Sequence, residues 1–236
     1  MTETAIVAGV GPGLGASLAR AFASEGYAVA LLSRRAESSE PVAAEIRSRH
    51  GKALVLPTDV TQRDAVRRSV EEARSQFGPV TVLAYNASGY GRGAFLELDP
   101  QTISQSFQAG VMGAVHLTQA VLLDMLTAGH GFISFTGATA ALRGRAGFAP
   151  LAIAKSGLRM LGQSLAREFH PKGVHVVHLV IDGQIDTPRL RARDPDRDSE
   201  TLIPPAAIAN CVIHALKQPF NAWSHEIDIR PRSETF

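Results

Sequence analysis

Short, almost continuously apolar runs alternate along the chain with longer stretches whose apolar positions recur every three or four residues. Runs such as Val80-Thr81-Val82-Leu83-Ala84 and Val174-His175-Val176-Val177-His178-Leu179-Val180-Ile181 suit strands covered by helices on both faces. They predict strands near 4–10, 28–33, 53–57, 80–86, 131–136, 174–181 and 225–230. Between them the longer period predicts helices near 14–25, 38–50, 62–77, 100–128, 146–170 and 204–217. Strict alternation of the two predicts an α/β fold built on a doubly wound parallel sheet of about seven strands.

Local punctuation sharpens the boundaries. Asp59 or Thr61 can cap the third helix, Asp99-Pro100 starts the fourth with proline in its first turn, and Pro171 stops the fifth ahead of Lys172-Gly173. Residues 184–204 carry Arg189, Arg191, Arg193, Asp194, Asp196, Arg197 and Asp198 with few apolar anchors. This segment is expected to be the least ordered and to form a loop that covers the substrate. A length of 236 residues, 45% of them hydrophobic and without an internal repeat, supports one domain over 1–236.

Composition mainly excludes. The net charge of +2 comes from 24 basic and 22 acidic residues spread along the chain, so no nucleic-acid surface is expected. The single Cys211 rules out an intramolecular disulfide and reads as a small hydrophobe buried in an apolar helix. The start MTETAIVAGV lacks a basic leader, and no apolar segment is read as reaching the ~18 residues that span a bilayer, so a cytoplasmic protein with no membrane partner is expected. His175 and His178 lie three apart in one strand and face opposite sides, and His116 and His130 have no partner at ligand spacing. No metal site is expected, and no Gly-x-Ser-x-Gly elbow suggests a hydrolase.

Specific chemistry enters where the first strand runs into Gly9-Val10-Gly11-Pro12-Gly13-Leu14-Gly15. A strand that passes through glycines into a helix aims backbone N–H groups and the positive helix end at a phosphate, and the missing side chains let a pyrophosphate come close. Gly9, Gly13 and Gly15 have Gly-x-x-x-Gly-x-Gly spacing at the head of the alternating pattern. They predict a dinucleotide on a Rossmann-type fold.

Other segments follow in a telling order: Asp59-Val60 after the third strand, Asn86-Ala87-Ser88-Gly89 after the fourth, Leu151-Ala152-Ile153-Ala154-Lys155 in the fifth helix, and Ile181-Asp182-Gly183-Gln184-Ile185-Asp186-Thr187 after the sixth strand. Together with the glycines they resemble the short-chain dehydrogenase/reductase family over essentially the whole chain. The resemblance implies NAD(H) or NADP(H) held by Gly9, Gly13, Leu14, Gly15, Asp59, Val60, Asn86, Ala87, Ser88, Lys155 and Thr187. It also implies a small-molecule substrate and a homodimer or homotetramer paired through the helices at 100–128 and 146–170. Val115, Leu117, Val121, Leu122, Leu158, Leu161 and Leu165 give those helices wide apolar faces, which serve either that pairing or only packing on the sheet.

The choice of nicotinamide rests on Leu32-Ser33-Arg34-Arg35 at the end of the second strand. No carboxylate precedes Glu37, and a guanidinium grips a 2′-phosphate by bidentate hydrogen bonds, so NADP(H) is expected in preference to NAD(H). Alternatively Arg34 and Arg35 are only a solvated helix entry.

Register with the family puts Gly110, Ala138 and Leu151 where it carries Asn, Ser and Tyr, leaving Lys155 of the four catalytic positions. Hydride delivery to a plain carbonyl builds negative charge on oxygen, and Gly, Ala and Leu have nothing to meet it. Tyr90 in Gly89-Tyr90-Gly91-Arg92-Gly93 is the candidate substitute, followed by Asp182, Thr136 and Thr139; their structural alternatives are a pocket wall, a cap and strand-end residues. Two functions stay open. One is an oxidoreductase acting on an unknown small carbonyl, alcohol or conjugated substrate, of which a conjugated double bond depends least on a Tyr donor. The other is a non-catalytic dinucleotide-binding sensor or partner subunit.

Overall fold

Each predicted apolar run becomes a strand of one parallel sheet. In chain order these are β1 (Thr4–Ala8), β2 (Ala28–Ser33), β3 (Ala53–Pro57), β4 (Val80–Tyr85), β5 (Gly131–Thr136) and β6 (Val174–Ile181). A separate parallel ribbon pairs β7 (Gln184–Ile185) with β8 (Leu202–Ile203), and β9 (Glu226–Ile229) closes the sheet, whose order is β3-β2-β1-β4-β5-β6-β9. The computed structural model describes residues 3–234, so the outermost ends of the domain expected over 1–236 lie outside the described residues.

Alternate strand residues feed two cores. Ala5, Val7, Val29, Leu31, Val177 and Leu179 pack under α1 (Leu14–Ser24), α2 (Glu40–Ser48) and α8 (Pro205–Leu216). Ile6, Ala8, Leu32, Leu83, Ile133 and Val176 pack under α3 (Arg63–Phe77), α5 (Gly113–Ala128) and α6 (Ala149–Phe169). Burying one such side chain contributes roughly 1.5–3 kcal/mol, which is why the continuously apolar runs fix the sheet. After β3 the chain crosses back to place β4 on the other side of β1. That reversal opens a crevice at the carboxyl ends of β1 and β4, the usual ligand position in a Rossmann-type sheet.

The predicted helix at 100–128 forms as α4 (Pro100–Phe107), a wider turn over Gln108–Met112, and α5. Asp99 caps α4 by accepting the Gln101 N–H. Within the wide turn the Ala109 carbonyl accepts the buried Tyr85 hydroxyl, a side-chain insertion of the kind that widens a helix locally. Contrary to the expectation of no long apolar segment, these 29 residues form a helical run with an 18-residue stretch of mean hydropathy 1.4. Ala114, Leu117, Val121 and Met125 bury its inner face in the core, and Leu158 does the same for α6. Those positions serve the sheet; the large apolar side chains left exposed on α5 and α6 are Leu123, 71% exposed, Leu126, Ile153 and Met160.

Three local expectations change. Asp59 accepts the Thr61 N–H and hydroxyl in a turn, and α3 starts only at Arg63 without a side-chain cap. Cys211 is half-buried rather than in the core. Residues 184–204 hold the ribbon and α7 (Pro188–Arg193), because Leu190, Leu202 and Ile203 are buried and Arg191 binds both Asp186 carboxylate oxygens, the Arg197 carbonyl and the Ser199 hydroxyl.

Candidate functional site

The glycine-rich turn is built by backbone geometry. The N–H groups of Gly9 and Val10 both donate to the Leu32 carbonyl, at 2.9 and 3.1 Å, so the turn is pinned as it leaves β1. Gly9 has φ +86°, and a Cβ there would stand 2.5 Å from the Ala87 backbone nitrogen. Only glycine satisfies both constraints. Asn86 locks the approach from the other side, its amide donating to the Gly9 carbonyl at 2.9 Å. Gly13 lies against the Thr187 methyl, and the Thr187 hydroxyl caps α7 by accepting the Leu190 N–H.

Gly9, Gly13, Leu14, Gly15, Asn86, Ala87 and Thr187 are thus gathered at one end of the sheet. α1 has no side-chain cap, and among the described residues the N–H groups of Gly13, Leu14 and Gly15 have no hydrogen-bond acceptor. Nothing lies within 4 Å of a Cβ placed on Gly11. Free donors, a positive helix end and open space suit a pyrophosphate.

Beside this turn the Ser33 hydroxyl donates to the Arg35 carbonyl at 2.7 Å and pairs with Ser39 at 2.9 Å, shaping the exit from β2. Arg34 and Arg35 are exposed there, and among the described residues neither side chain has an ion-pair or hydrogen-bond partner. Asp59 is exposed and Val60 buried at the end of β3, where the Val60 carbonyl lies 3.1 Å from His116 Nδ1. Ser88 is exposed, its hydroxyl turned onto the Gly89 carbonyl.

The opposite wall is hydrocarbon around one buried amine. Lys155 on α6 is 5% exposed, and Nζ donates to the Thr136 carbonyl at 2.6 Å. Burial lowers its pKa to about 8. Ala138 follows β5 in extended backbone, Leu151 lies in the first turn of α6, and Gly110 is buried against α6. A Cβ at Gly110 would stand 2.8 Å from that of Ala154, so a longer side chain there needs movement of α6.

Among the described residues, no substitute donor's side chain hydrogen-bonds to Lys155. Tyr90 is 61% exposed and forms no hydrogen bond among the described residues. Asp182 is buried and spent: Thr139 donates to one carboxylate oxygen while Arg230 and Arg143 lie 3.3 and 3.8 Å from the other. Thr136 contributes its carbonyl, which fixes Lys155.

Sequence reasoning named Asp182 and Thr139 but missed Arg143 and Arg230, since only the folded sheet ends bring them together. It also missed Arg159, whose guanidinium holds Glu226 at 2.6 and 2.9 Å while Glu226 lies 3.0 Å from His178 Nδ1. Burial pushes His178 down to about 4, so it is neutral at pH 7. Such pairings lack a local sequence signal because their members lie 39 to 67 residues apart.

Known proteins share this fold and sequence pattern. The family pattern described as short chain dehydrogenase matches residues 3–198. An uncharacterized oxidoreductase of Staphylococcus saprophyticus is 28% identical over 232 residues, covering 97% of both chains. A crystal structure of a short-chain dehydrogenase from Rhodopseudomonas palustris superposes with a TM-score of 0.81 at 33% identity over 98% of each chain. A metagenomic short-chain oxidoreductase, solved in complex with NADP, gives 0.83 at 25% identity over 97% of each. With the glycine turn, the strand order and Lys155 in the same framework, the chain belongs to the short-chain dehydrogenase/reductase family of oxidoreductases.

Proposed function

We propose that this chain binds NADP(H) in preference to NAD(H) and acts as an oxidoreductase on a small molecule with a conjugated, activated double bond. The observation that carries the cofactor choice is the pair Arg34 and Arg35, exposed beside the glycine turn without a carboxylate partner among the described residues. The NADP-bound metagenomic relative supports it. Gly9, Gly13, Leu14, Gly15, Asn86, Ala87, Ser88 and Thr187 hold the dinucleotide, Asp59 and Val60 border its adenine end, and Lys155 holds the nicotinamide ribose.

When bound, NADPH supplies a hydride. The chain's own contribution is orientation: Thr136 fixes the Lys155 ammonium, and Ala138 and Leu151 present hydrocarbon where the family pattern carries hydroxyls. A plain ketone would need a donor at its oxygen and finds none, whereas charge on a conjugated acceptor is spread over several atoms and can take its proton from water. Residues 184–204, anchored by Leu190 and Ile203, cover the substrate. Leu123, Leu126 and Met160 supply surface for a homodimer or homotetramer, and a cytoplasmic location goes with this reading.

Steady NADPH oxidation measured with 2-cyclohexenone and with cyclohexanone tests this. Turnover of the enone alone is expected; equal turnover of both, or NADH outperforming NADPH, would overturn it. The tight packing of Gly110 on Ala154 favours a second reading, a non-catalytic dinucleotide sensor or partner subunit, because it makes one lost donor position hard to refill. That reading predicts firm NADPH binding with no turnover across a carbonyl and enone panel.

A further inference from the structure

The mouth of the crevice is formed by two segments, 89–98 after β4 and 142–150 before α6, joined by the Gly93 N–H donating to the Gly147 carbonyl at 3.0 Å. Two features coincide there. Of the nine large hydrophobic side chains left exposed among the described residues, Tyr90, Phe95, Leu96 and Leu142 belong to these segments and Ile153 to the adjoining turn of α6. Arg92 and Arg145 lie over the same ring, Phe148, at 5.7 and 6.0 Å from its centroid.

Neither guanidinium has an ion pair among the described residues, although Glu97 and Asp99 are close in sequence. Asp99 is used as the α4 cap. The other nearby acid, Asp182, is taken by Thr139, Arg143 and Arg230. Two cations held on one aromatic ring repel each other, and an oxyanion between them relieves that repulsion with charge-assisted hydrogen bonds. In a chain of net charge +2, this concentration of unpaired cations is local rather than a general excess.

We propose that the ligand of this crevice is amphipathic, with an apolar body lying on Tyr90, Phe95, Leu96 and Leu142 and a terminal carboxylate or phosphate held by Arg92 and Arg145. The inference deepens the reading above and depends on it only in taking the crevice as the substrate's. It names the property that ranks ligands: tail and charge together bind tighter than either alone. Lys155 and the glycine turn take no part in this selection.

Calorimetric titration of the NADPH-saturated protein with octanoate, octanamide, acetate, octyl phosphate and inorganic phosphate tests it. Octanoate and octyl phosphate are expected to bind about tenfold or more tighter than octanamide, with acetate and inorganic phosphate weak. Arg92→Gln and Arg145→Gln are each expected to weaken octanoate about tenfold, and the double variant to erase its advantage over octanamide, with NADPH affinity unchanged. Equal binding of octanoate and octanamide, an anion preference retained in the double variant, or binding by inorganic phosphate as strong as by octyl phosphate would overturn the proposal. So would attachment to anionic phospholipid vesicles without octanoate binding. Titration of NADPH into wild type is read separately: its failure removes the cofactor assignment, while loss of the octanoate preference with NADPH still bound removes this proposal alone.

Discussion

The two walls of the crevice are built on different chemical principles. On the β1–β2 side the working groups are backbone: free N–H donors at the start of α1, a carbonyl pinned by Asn86, and a turn that only glycine can make. On the β5–α6 side the work belongs to side chains: Lys155 is buried, and Ala138 after β5 and Leu151 one turn before it on α6 carry only hydrocarbon. Backbone devices survive almost any exchange of neighbouring side chains, whereas a proton donor is lost in one substitution. On the proposed reading, that asymmetry is what would leave a dinucleotide site in place beside a wall without its hydroxyl donors.

The largest effect should come from breaking the backbone side. Gly9→Val forces a branched residue into φ +86° with its Cβ 2.5 Å from Ala87 N, so NADPH affinity should fall by about 100-fold or more, with a lower melting temperature. Calorimetry and thermal melts check it. Next is acid. Burial lowers His175 and His178 to about 4, so between pH 6.5 and 4 the unfolded chain takes up protons that the folded one does not. Stability is full above pH 6.5 and falls by a few kcal/mol as pH drops through that window, measurable by urea unfolding at each pH.

Two smaller tests sharpen the comparison. Arg34→Asp should weaken NADPH about tenfold and leave NADH equal or improved, read by paired titrations. Lys155, lowered to about 8, loses its ammonium charge as pH rises through that value. NADPH should therefore bind several-fold weaker at pH 9 than at pH 7, and Lys155→Met should flatten that dependence. The same shift carries a folding signature of the opposite sense. The unfolded lysine binds a proton that the folded one has shed between pH 8 and 10.5, so this residue's contribution to stability rises across that range.

The sequence revealed the backbone wall far better than the rim. β2, β3, β5 and β6 match their predicted limits because glycine or charged residues bound their apolar runs, and the Gly9–Gly15 turn is legible because its chemistry is local. The wide turn at Gln108–Met112 was not legible, since it answers to the Tyr85 hydroxyl from another strand. Residues 184–204 look solvated in sequence, yet Asp186 and Arg191 pair within the segment and give it shape. Arg143 and Arg230 around Asp182, and Arg92 with Arg145 on Phe148, are brought together from separate segments only in the folded chain.

The most direct test compares wild type with the double variant Ala138→Ser, Leu151→Tyr for reduction of cyclohexanone, with NADPH binding confirmed in both. A kept cofactor wall beside a lost donor wall predicts equal NADPH affinity and a rate at least about 100-fold higher in the variant. Robust cyclohexanone reduction by the wild type, or no NADPH uptake by either protein, would contradict it.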